Sequence, residues 1–341
     1  MKNKIIILIF ISFVLSQTGG GLSFMNIAGS SRMNALGNTM FSDFSNPTSL
    51  LLNPANTWSQ TNYKISINNA WYDPVLDIQL SHIFLSFKIK ESLFSFGFIE
   101  HGVKNIESYS NEAVFEGFFN FSDIAFLLGY SHRTSNVFWG FSGAVISENF
   151  TNIDYERSYY YQYDIGVSLV DLQLTNSINL SSGFSMKNIF DKDFNYKNTA
   201  NSNNIMGSVI SYSSSKSNLI INSYFDFLFQ KTLDVNTGRF GLEIGYGYNR
   251  KSKPDSKNIS KYKSYELSLC FGYNDFRFLP LDSFSLQETN QYNSQLKYGI
   301  GLKFPFYGNT VDIFGGQSIA TTENPLSSKF MTISFSKRKR Y

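Results

Sequence analysis

Long stretches of the chain alternate apolar and polar residues with a period of two. Leu296, Tyr298, Ile300, Leu302 and Phe304 alternate with Lys297, Gly299, Gly301 and Lys303. Tyr265, Leu267, Leu269, Phe271 and Tyr273 alternate with Glu266, Ser268, Cys270, Gly272 and Asn274. The same pattern organises Tyr163–Val170, Leu219–Gln230 and Phe240–Asn249. Successive side chains of a strand point to opposite faces, so each segment is a strand with one apolar face and one polar or small face. Lys64–Trp71, Asp77–Lys90, Leu93–Val103, Asp123–His132, Val137–Ser147, Ser177–Lys187, Asn204–Tyr212, Thr310–Gln317 and Phe330–Ser336 complete a set of fourteen candidates. Ser213–Ser217, Lys251–Ser260 and Asp191–Asn204, rich in Ser, Asn, Asp and Lys, read as connections.

Two all-β architectures bury such strands. A soluble sandwich turns the apolar face inward; a transmembrane barrel turns it outward to lipid and the polar face into a lumen. Three features favour the antiparallel barrel. The segments run ~9–12 residues, the length a tilted strand needs to cross an outer membrane. Tyr246, Tyr248, Tyr265 and Tyr273 sit near the ends of apolar faces, where interfacial girdles lie. Glycine is frequent on the opposite face, which suits a crowded lumen. On that face Glu243, Glu266 and Lys297 are candidate lumenal polar groups.

Composition narrows this further. Of 341 residues, 42% are hydrophobic and only 16% charged, with 34 Phe and 21 Tyr among the aromatics, too many for a disordered chain. Mean hydropathy is −0.17, so apolar residues are interleaved and not massed; no stretch of ~20 apolar residues makes a membrane helix. A net charge of +3 gives no reason to expect nucleic acid. One cysteine excludes a disulfide framework and a Cys-rich metal site.

The chain opens with Lys2 and Lys4, then an apolar run from Ile5 to Leu15, with Val14 and Ser16 small enough for a signal peptidase to cut after Ser16. That is the layout of a secretory signal, too short to span a bilayer. The expected organisation is a signal peptide at 1–16, a distinct N-terminal segment at 17–60, a barrel at 61–336 and a basic tail at 337–341.

The N-terminal segment carries a resemblance. Phe24-Met-Asn-Ile-Ala-Gly-Ser-Ser-Arg32-Met-Asn-Ala-Leu-Gly37 resembles the opening of the PorV/PorQ family of outer-membrane proteins. Asn53-Pro54-Ala55 matches that family's Asn-Pro-Ala motif, with the acidic Asp43 between the two. Glu116-Gly117, Asp123-Ile-Ala, Leu128-Gly-Tyr130 and Asp164-Ile-Gly-Val167 resemble the PorQ branch, and Gly183-Phe-Ser-Met-Lys-Asn-Ile189 resembles the family's recurring Gly-x-x-x-Lys-Asn strand. The chain departs from the family at Asn38-Thr39-Met40, where Gly or Ala is usual, and at Asn56-Thr57-Trp58. The resemblance implies a fourteen-stranded barrel of the FadL type, in the outer membrane, with residues 17–60 folded inward as a hatch. Arg32, Gly37, Asp43, Asn53, Pro54 and Ala55 would belong to that hatch. Arg32 then has Glu243 or Glu266 as a candidate partner in the lumen. Asn-Pro-Ala suits a hatch turn: Asn bonds nearby backbone, Pro fixes φ, and Ala permits close approach.

Residues for chemistry are sparse. His82, His101 and His132 stand on separate segments without metal-ligand spacing. Asp191 and Asp193 lack the other ligands of a calcium loop. Cys270 has no adjacent base and reads as a packed thiol. No nucleophile elbow, P-loop or dinucleotide fingerprint occurs, so neither an enzyme nor a cofactor is expected. The resemblance implies a component associated with type IX secretion, partnering the secretion machinery or its cargo through loops such as Arg250–Lys261 and Phe190–Asn203. The alternative is a FadL-like transporter of hydrophobic small molecules; a third is a purely structural barrel.

Overall fold

The computed structural model describes residues 29–72, 78–109, 115–151, 158–189, 203–214, 218–230, 235–250, 263–277, 295–307, 309–319 and 328–338. The signal segment at 1–16, the start of the Phe24 motif, Asp191 and Asp193, the connections 190–202 and 251–262, and the end of the basic tail lie outside these residues.

Fourteen antiparallel strands run in chain order: β1 Thr61–Tyr72, β2 Ile78–Ile89, β3 Ser92–Tyr109, β4 Phe115–Thr134, β5 Val137–Thr151, β6 Ser158–Thr175 and β7 Ile178–Met186. They continue as β8 Asn203–Ser214, β9 Leu219–Gln230, β10 Val235–Arg250, β11 Lys263–Arg277, β12 Gln295–Phe306, β13 Asn309–Ser318 and β14 Ser328–Arg338. Each pairs with its sequence neighbours, and β1 pairs with β14 from Thr61↔Arg338 to Tyr72↔Ser328, closing the barrel. Every candidate segment corresponds to one strand; most strands run longer than expected, up to 20 residues in β4, while β2 and β7 are slightly shorter. The β3–β4 ladder continues to Tyr109↔Phe115, past the end of the alternation at Val103. Ladder hydrogen bonds persist beyond the zone in which one face must be apolar.

The two faces divide as the period-two pattern requires. On β11, Leu267, Leu269, Phe271 and Tyr273 are exposed on the outside, while Ser268, Cys270, Gly272 and Asn274 are buried inside. On β12, Leu296, Tyr298, Ile300 and Leu302 face out, and Lys297, Gly299 and Gly301 face in. Phe126 (61% exposed) and Leu128 (60%) would be indefensible on a surface in water; on a lipid-facing wall they are in their proper solvent. An aromatic cluster of Phe94, Tyr130, Trp139 and Phe141 rims the outside of β3–β5, with ring centroids 5.3–5.5 Å apart.

The inner face is less uniformly polar than the sequence implied. Leu80, Phe84, Leu93, Ile99, Ile146 and Ile205 point into the lumen and are buried there. Their partner is residues 29–60, folded inside the barrel. Gly29 to Ser59 are buried apart from Arg32, Phe44 and Ser45. This inner segment holds helix α1 (Ser31–Ala35), N-capped by the Ser30 hydroxyl accepting from the Met33 N–H at 3.1 Å. Two 3-10 turns follow, at Pro47–Leu51 and Pro54–Thr57.

The ends of the barrel are distinct. The turns β2–β3, β4–β5, β6–β7 and β12–β13 are tight and share one end with the start of β1 and the end of β14. In outer-membrane barrels that end is periplasmic, and longer loops are extracellular. This corrects one expectation. Phe190–Asn203 joins β7 to β8 at the long-loop end, but β10 and β11 meet at the short-turn end, through Arg250↔Lys263. Arg250–Lys261 therefore cannot share an extracellular surface with Phe190–Asn203. The composition of a connection does not reveal the end at which it lies; strand parity does.

An Ile300→Arg substitution, placing charge mid-strand on the outer face, should destabilise the folded barrel by about 2–4 kcal/mol in urea titrations in lipid vesicles. A change below about 0.5 kcal/mol would mean that this face does not meet lipid.

Candidate functional site: the hatch and the cavity beneath it

The inner segment, which the sequence leads one to expect as a hatch, is bonded to the wall by side chains. Arg32, on α1, donates from Nε to Glu243 Oε1 at 2.9 Å and from Nη2 to Glu243 Oε2 at 2.6 Å. Bidentate pairing is the strong form of this interaction. The Glu243 carboxylate also accepts from the Tyr224 hydroxyl and from Asn222 Nδ2, each at 2.8 Å, and Arg32 Nη2 reaches the Tyr224 oxygen at 3.2 Å. Burial works against the Arg32 charge, but the Glu243 carboxylate, with Tyr224, outweighs it and holds the guanidinium pKa well above its ordinary value. Glu266 lines the same cavity as Arg32 but pairs with Lys303 at 3.5 Å. Glu243 is nearer because α1 packs against the glycine patch of β10–β12.

A second set of ties surrounds the turn after α1. Gly37 (φ +70°) and Asn38 (φ +59°) reverse the chain in left-handed conformations. A Cβ at Gly37 would lie 2.7 Å from the carbonyl oxygens of Phe240 and Tyr273. Arg239 Nη1 donates to the Asn38 carbonyl at 2.9 Å, and the Met40 N–H donates to Asp226 Oδ2 at 2.5 Å. Asp43 organises the hatch internally, accepting from Asn46 Nδ2 at 3.0 Å and from the Thr48 hydroxyl.

The Asn-Pro-Ala stretch forms a third tie. Asn53 caps its 3-10 turn, its Oδ1 accepting from the Ala55 N–H at 2.9 Å, with Pro54 at the first position of the turn. Asn53 Nδ2 donates to Ser168 Oγ at 3.1 Å on β6, and that hydroxyl donates to Asn56 Oδ1 at 2.7 Å. Thr57 Oγ1 donates to Ser131 Oγ at 3.0 Å on β4. On the far side, Ser31, Asn68 and Thr332 form a hydroxyl–amide cluster, and His82 Nδ1 lies 3.3 Å from the Gly29 carbonyl.

The lumenal glycines mark where the hatch approaches. A Cβ at Gly272 would collide with the backbone of Leu36 and Gly37, and one at Gly241 would lie 2.7 Å from the Leu36 carbonyl. A Cβ at Gly140 would lie 2.7 Å from the Pro54 backbone, and one at Gly166 would overlap Asn53 Oδ1. These positions are smooth because a second layer of backbone lies against them.

Each of the sequence-derived residues is thus placed. Arg32, Gly37, Asp43, Asn53, Pro54 and Ala55 all lie in the inner segment at 29–60, and Glu243 pairs with Arg32. Lys297 is buried on the inner face of β12. Tyr224, Asn222, Asp226, Arg239 and Ser168 were not singled out by sequence. Asp226, set between Phe225 and Phe227, carried the only visible signal: a charge at the inward phase of an apolar strand. Among the described residues no group of three His, Cys, Asp or Glu side chains could hold a metal ion. His82 meets the hatch, His101 lies 3.3 Å from Asp123 in the lumen, and His132 faces out beside Trp139. Cys270 is buried, its Sγ 3.8 Å from Glu243 Oε1.

Beneath the hatch, toward the short-turn end, lies a cavity of ≈ 680 Å³. Arg32, Glu243, Asp43, Lys64, Glu266 and Asp312 give it one charged side; Phe41, Phe44, Trp58 and Phe138 give it an aromatic one.

This architecture matches solved outer-membrane barrels. The toluene transporter TodX of Pseudomonas putida superimposes with a TM-score of 0.52 at 10% identity, covering 95% of this chain and 100% of TodX. The toluene transporter TbuX of Ralstonia pickettii gives 0.54 at 11% identity, covering 96% and 100%. A TodX deletion mutant described as a monoaromatic hydrocarbon channel gives 0.56 at 12% identity, covering 91% and 99%. No protein-family profile matches the chain, and no curated protein sequence does. At such identities the likeness establishes the fold alone: a closed fourteen-stranded antiparallel barrel.

Glu243→Ala should leave Arg32 without its partner and loosen α1, lowering hydrogen-exchange protection of the Ser31–Asn38 amides by about 3 kcal/mol. Planar-bilayer conductance should rise severalfold. Unchanged protection and conductance would show that this ion pair does not hold the hatch.

Proposed function

We propose that the protein is an outer-membrane transporter for hydrophobic small molecules, with residues 29–60 as the hatch that closes its lumen. The observation that carries this reading is the fit of almost the whole chain to the barrel of toluene transporters, together with a lumen filled by a discrete inner segment. The hatch suits such a role physically. Its ties to the wall are side-chain bonds and close glycine contacts, not ladder bonds, so it can shift without opening the barrel. The protein contributes a rigid lipid-facing wall and a displaceable plug, and needs no catalytic group.

A second reading is supported by a separate observation. The residues that carry the PorV/PorQ resemblance, Arg32, Gly37 and Asn53–Ala55, are those that seat the hatch against the wall. On this reading the barrel is a component associated with type IX secretion, and its long-loop end, where Phe190–Asn203 attaches, meets secretion components or cargo.

One experiment separates the two. Deletion of the gene should slow cellular uptake of labelled toluene severalfold, with recovery on complementation. Uptake that stays at the parental rate, with the barrel instead co-purifying with a surface secretion complex, would replace the first reading with the second.

A further inference from the structure

The cavity below the hatch has chemistry that a bare hydrocarbon does not use. Its volume of ≈ 680 Å³ falls within the range of small-molecule sites. Its two sides differ, and the strand order fixes them opposite each other. Lys303 on β12 and Asp312 on β13 stand seven strands from Phe138 on β5 and Val170 on β6, half-way round a fourteen-strand barrel.

The charged side contains two groups outside any close ion pair. Lys64 on β1 and Asp312 on β13 both line the cavity, and neither makes a hydrogen bond or contact ion pair among the described residues; at longer range Lys64 faces Asp43 and Asp312, and Asp312 faces Lys64 and its register partner Lys303. One strand separates them: Lys64 pairs in register with Ser336 and Asp312 with Ser334, on β14. Two strand spacings and a two-residue offset along β14 put their backbones roughly 12 Å apart, with room for a ligand's own charges between the side chains. A partly buried ammonium and carboxylate facing one space, neither held in a contact ion pair, present complementary groups to a carboxylate and an ammonium.

The aromatic side is a stack. Phe44 is only half-buried; its ring lies 6.0 Å from Phe41 and 5.7 Å from Phe138, and Phe138 in turn lies 5.0 Å from Trp58. Trp58 is covered by Lys88 at 4.2 Å and Arg133 at 4.9 Å and tied by its Nε1–H to the Glu91 carbonyl at 3.0 Å. The accessible ring is therefore Phe44, open for offset stacking with a further ring.

We propose that this vestibule is a binding site for an aromatic zwitterion, an aromatic amino acid or a short aromatic peptide, entering from the short-turn end. The ligand carboxylate meets Lys64, its ammonium meets Asp312, and its ring stacks on Phe44. This does not depend on what crosses the barrel.

The test uses the full-length barrel in detergent micelles with Trp71→Phe and Trp139→Phe, leaving Trp58 as the sole indole. Phenylalanine and diphenylalanine are titrated by Trp58 emission and by calorimetry, against benzoate, phenethylamine and glycylglycine. Saturable binding of an aromatic zwitterion is expected, with each control, lacking one of the three features, at least tenfold weaker. Tighter binding of phenylalanine identifies the free amino acid as the source, and tighter binding of diphenylalanine a peptide. Lys64→Gln, Asp312→Asn and Phe44→Ala should each weaken binding about tenfold. The proposal is overturned if no probe saturates, if the controls bind as well, or if all three variants stay within twofold. Unheated gel samples that keep the fast-migrating folded band confirm that the variants remain barrels.

Discussion

A strand in hydrocarbon has no water to satisfy its N–H and C=O groups, and each unpaired group costs several kcal/mol. Every other feature of this chain follows from that requirement. The sheet closes, β1 onto β14, so no edge is left. Closure puts lipid on the outside, so the outer face carries Leu, Ile, Phe and Tyr, and the inner face is freed from hydrophobicity. Fourteen strands enclose more volume than wall side chains can fill, and something must occupy the lumen. Residues 29–60 do so. The apolar core of this protein is therefore an inner segment packed against inward Leu80, Phe84 and Ile99, and not the wall itself.

Two physical devices seat that segment, and they act differently. Shape does so at the glycines: Gly241, Gly272, Gly140 and Gly166 let backbone lie on backbone, which fixes position without strong directional bonding. Charge does so at Arg32–Glu243. Burying two charges is costly, and the pair is favourable only because Tyr224 and Asn222 satisfy the remaining lone pairs of the carboxylate. Arg32 is 25% exposed toward the cavity, whereas Glu243 is 4% exposed, so the charge that can be reached from below belongs to the hatch. Loss of this pair leaves the ladder intact, because no strand depends on it.

The sequence carried the wall more fully than the lumen. β11 and β12 alternate cleanly because one face meets lipid and the other meets small groups, and such strands are legible by period alone. β2 was harder: Leu80, Ile83, Phe84 and Leu85 are apolar on both faces, since its inner face meets the hatch. Strand ends beyond the bilayer, as in β3 and β4, lose the alternation while keeping the ladder. The choice of Glu243 over Glu266 was not legible. Both sit at the inward phase of neighbouring strands, and only the seating of α1 over Gly241 and Gly272 selects between them. Ser168, Arg239 and Asp226 were hidden for the same reason. Each looks like an ordinary lumenal polar residue until the hatch backbone is beside it.

The placement of the hatch also explains why the cavity below it is two-sided. A wall of alternating strands gives no reason for one half of a lumen to be aromatic and the other charged. The inner segment breaks that symmetry. Its second half, from Phe41 to Trp58, packs on β1–β3 through the Pro47–Leu51 turn and on β4–β6 through the Pro54–Thr57 turn, and the rings of Phe44, Phe138 and Trp58 stack across the seam between inner segment and wall. Its first half, with α1, leans on β11–β14, where it covers lumenal glycines and leaves the flanking Lys64, Lys303 and Asp312 lining the cavity. Arg32 and Phe44, two of the four inner-segment positions short of full burial, look into that space from opposite sides. Whatever occupies the cavity therefore touches the inner segment from both sides, at Arg32 and at Phe44.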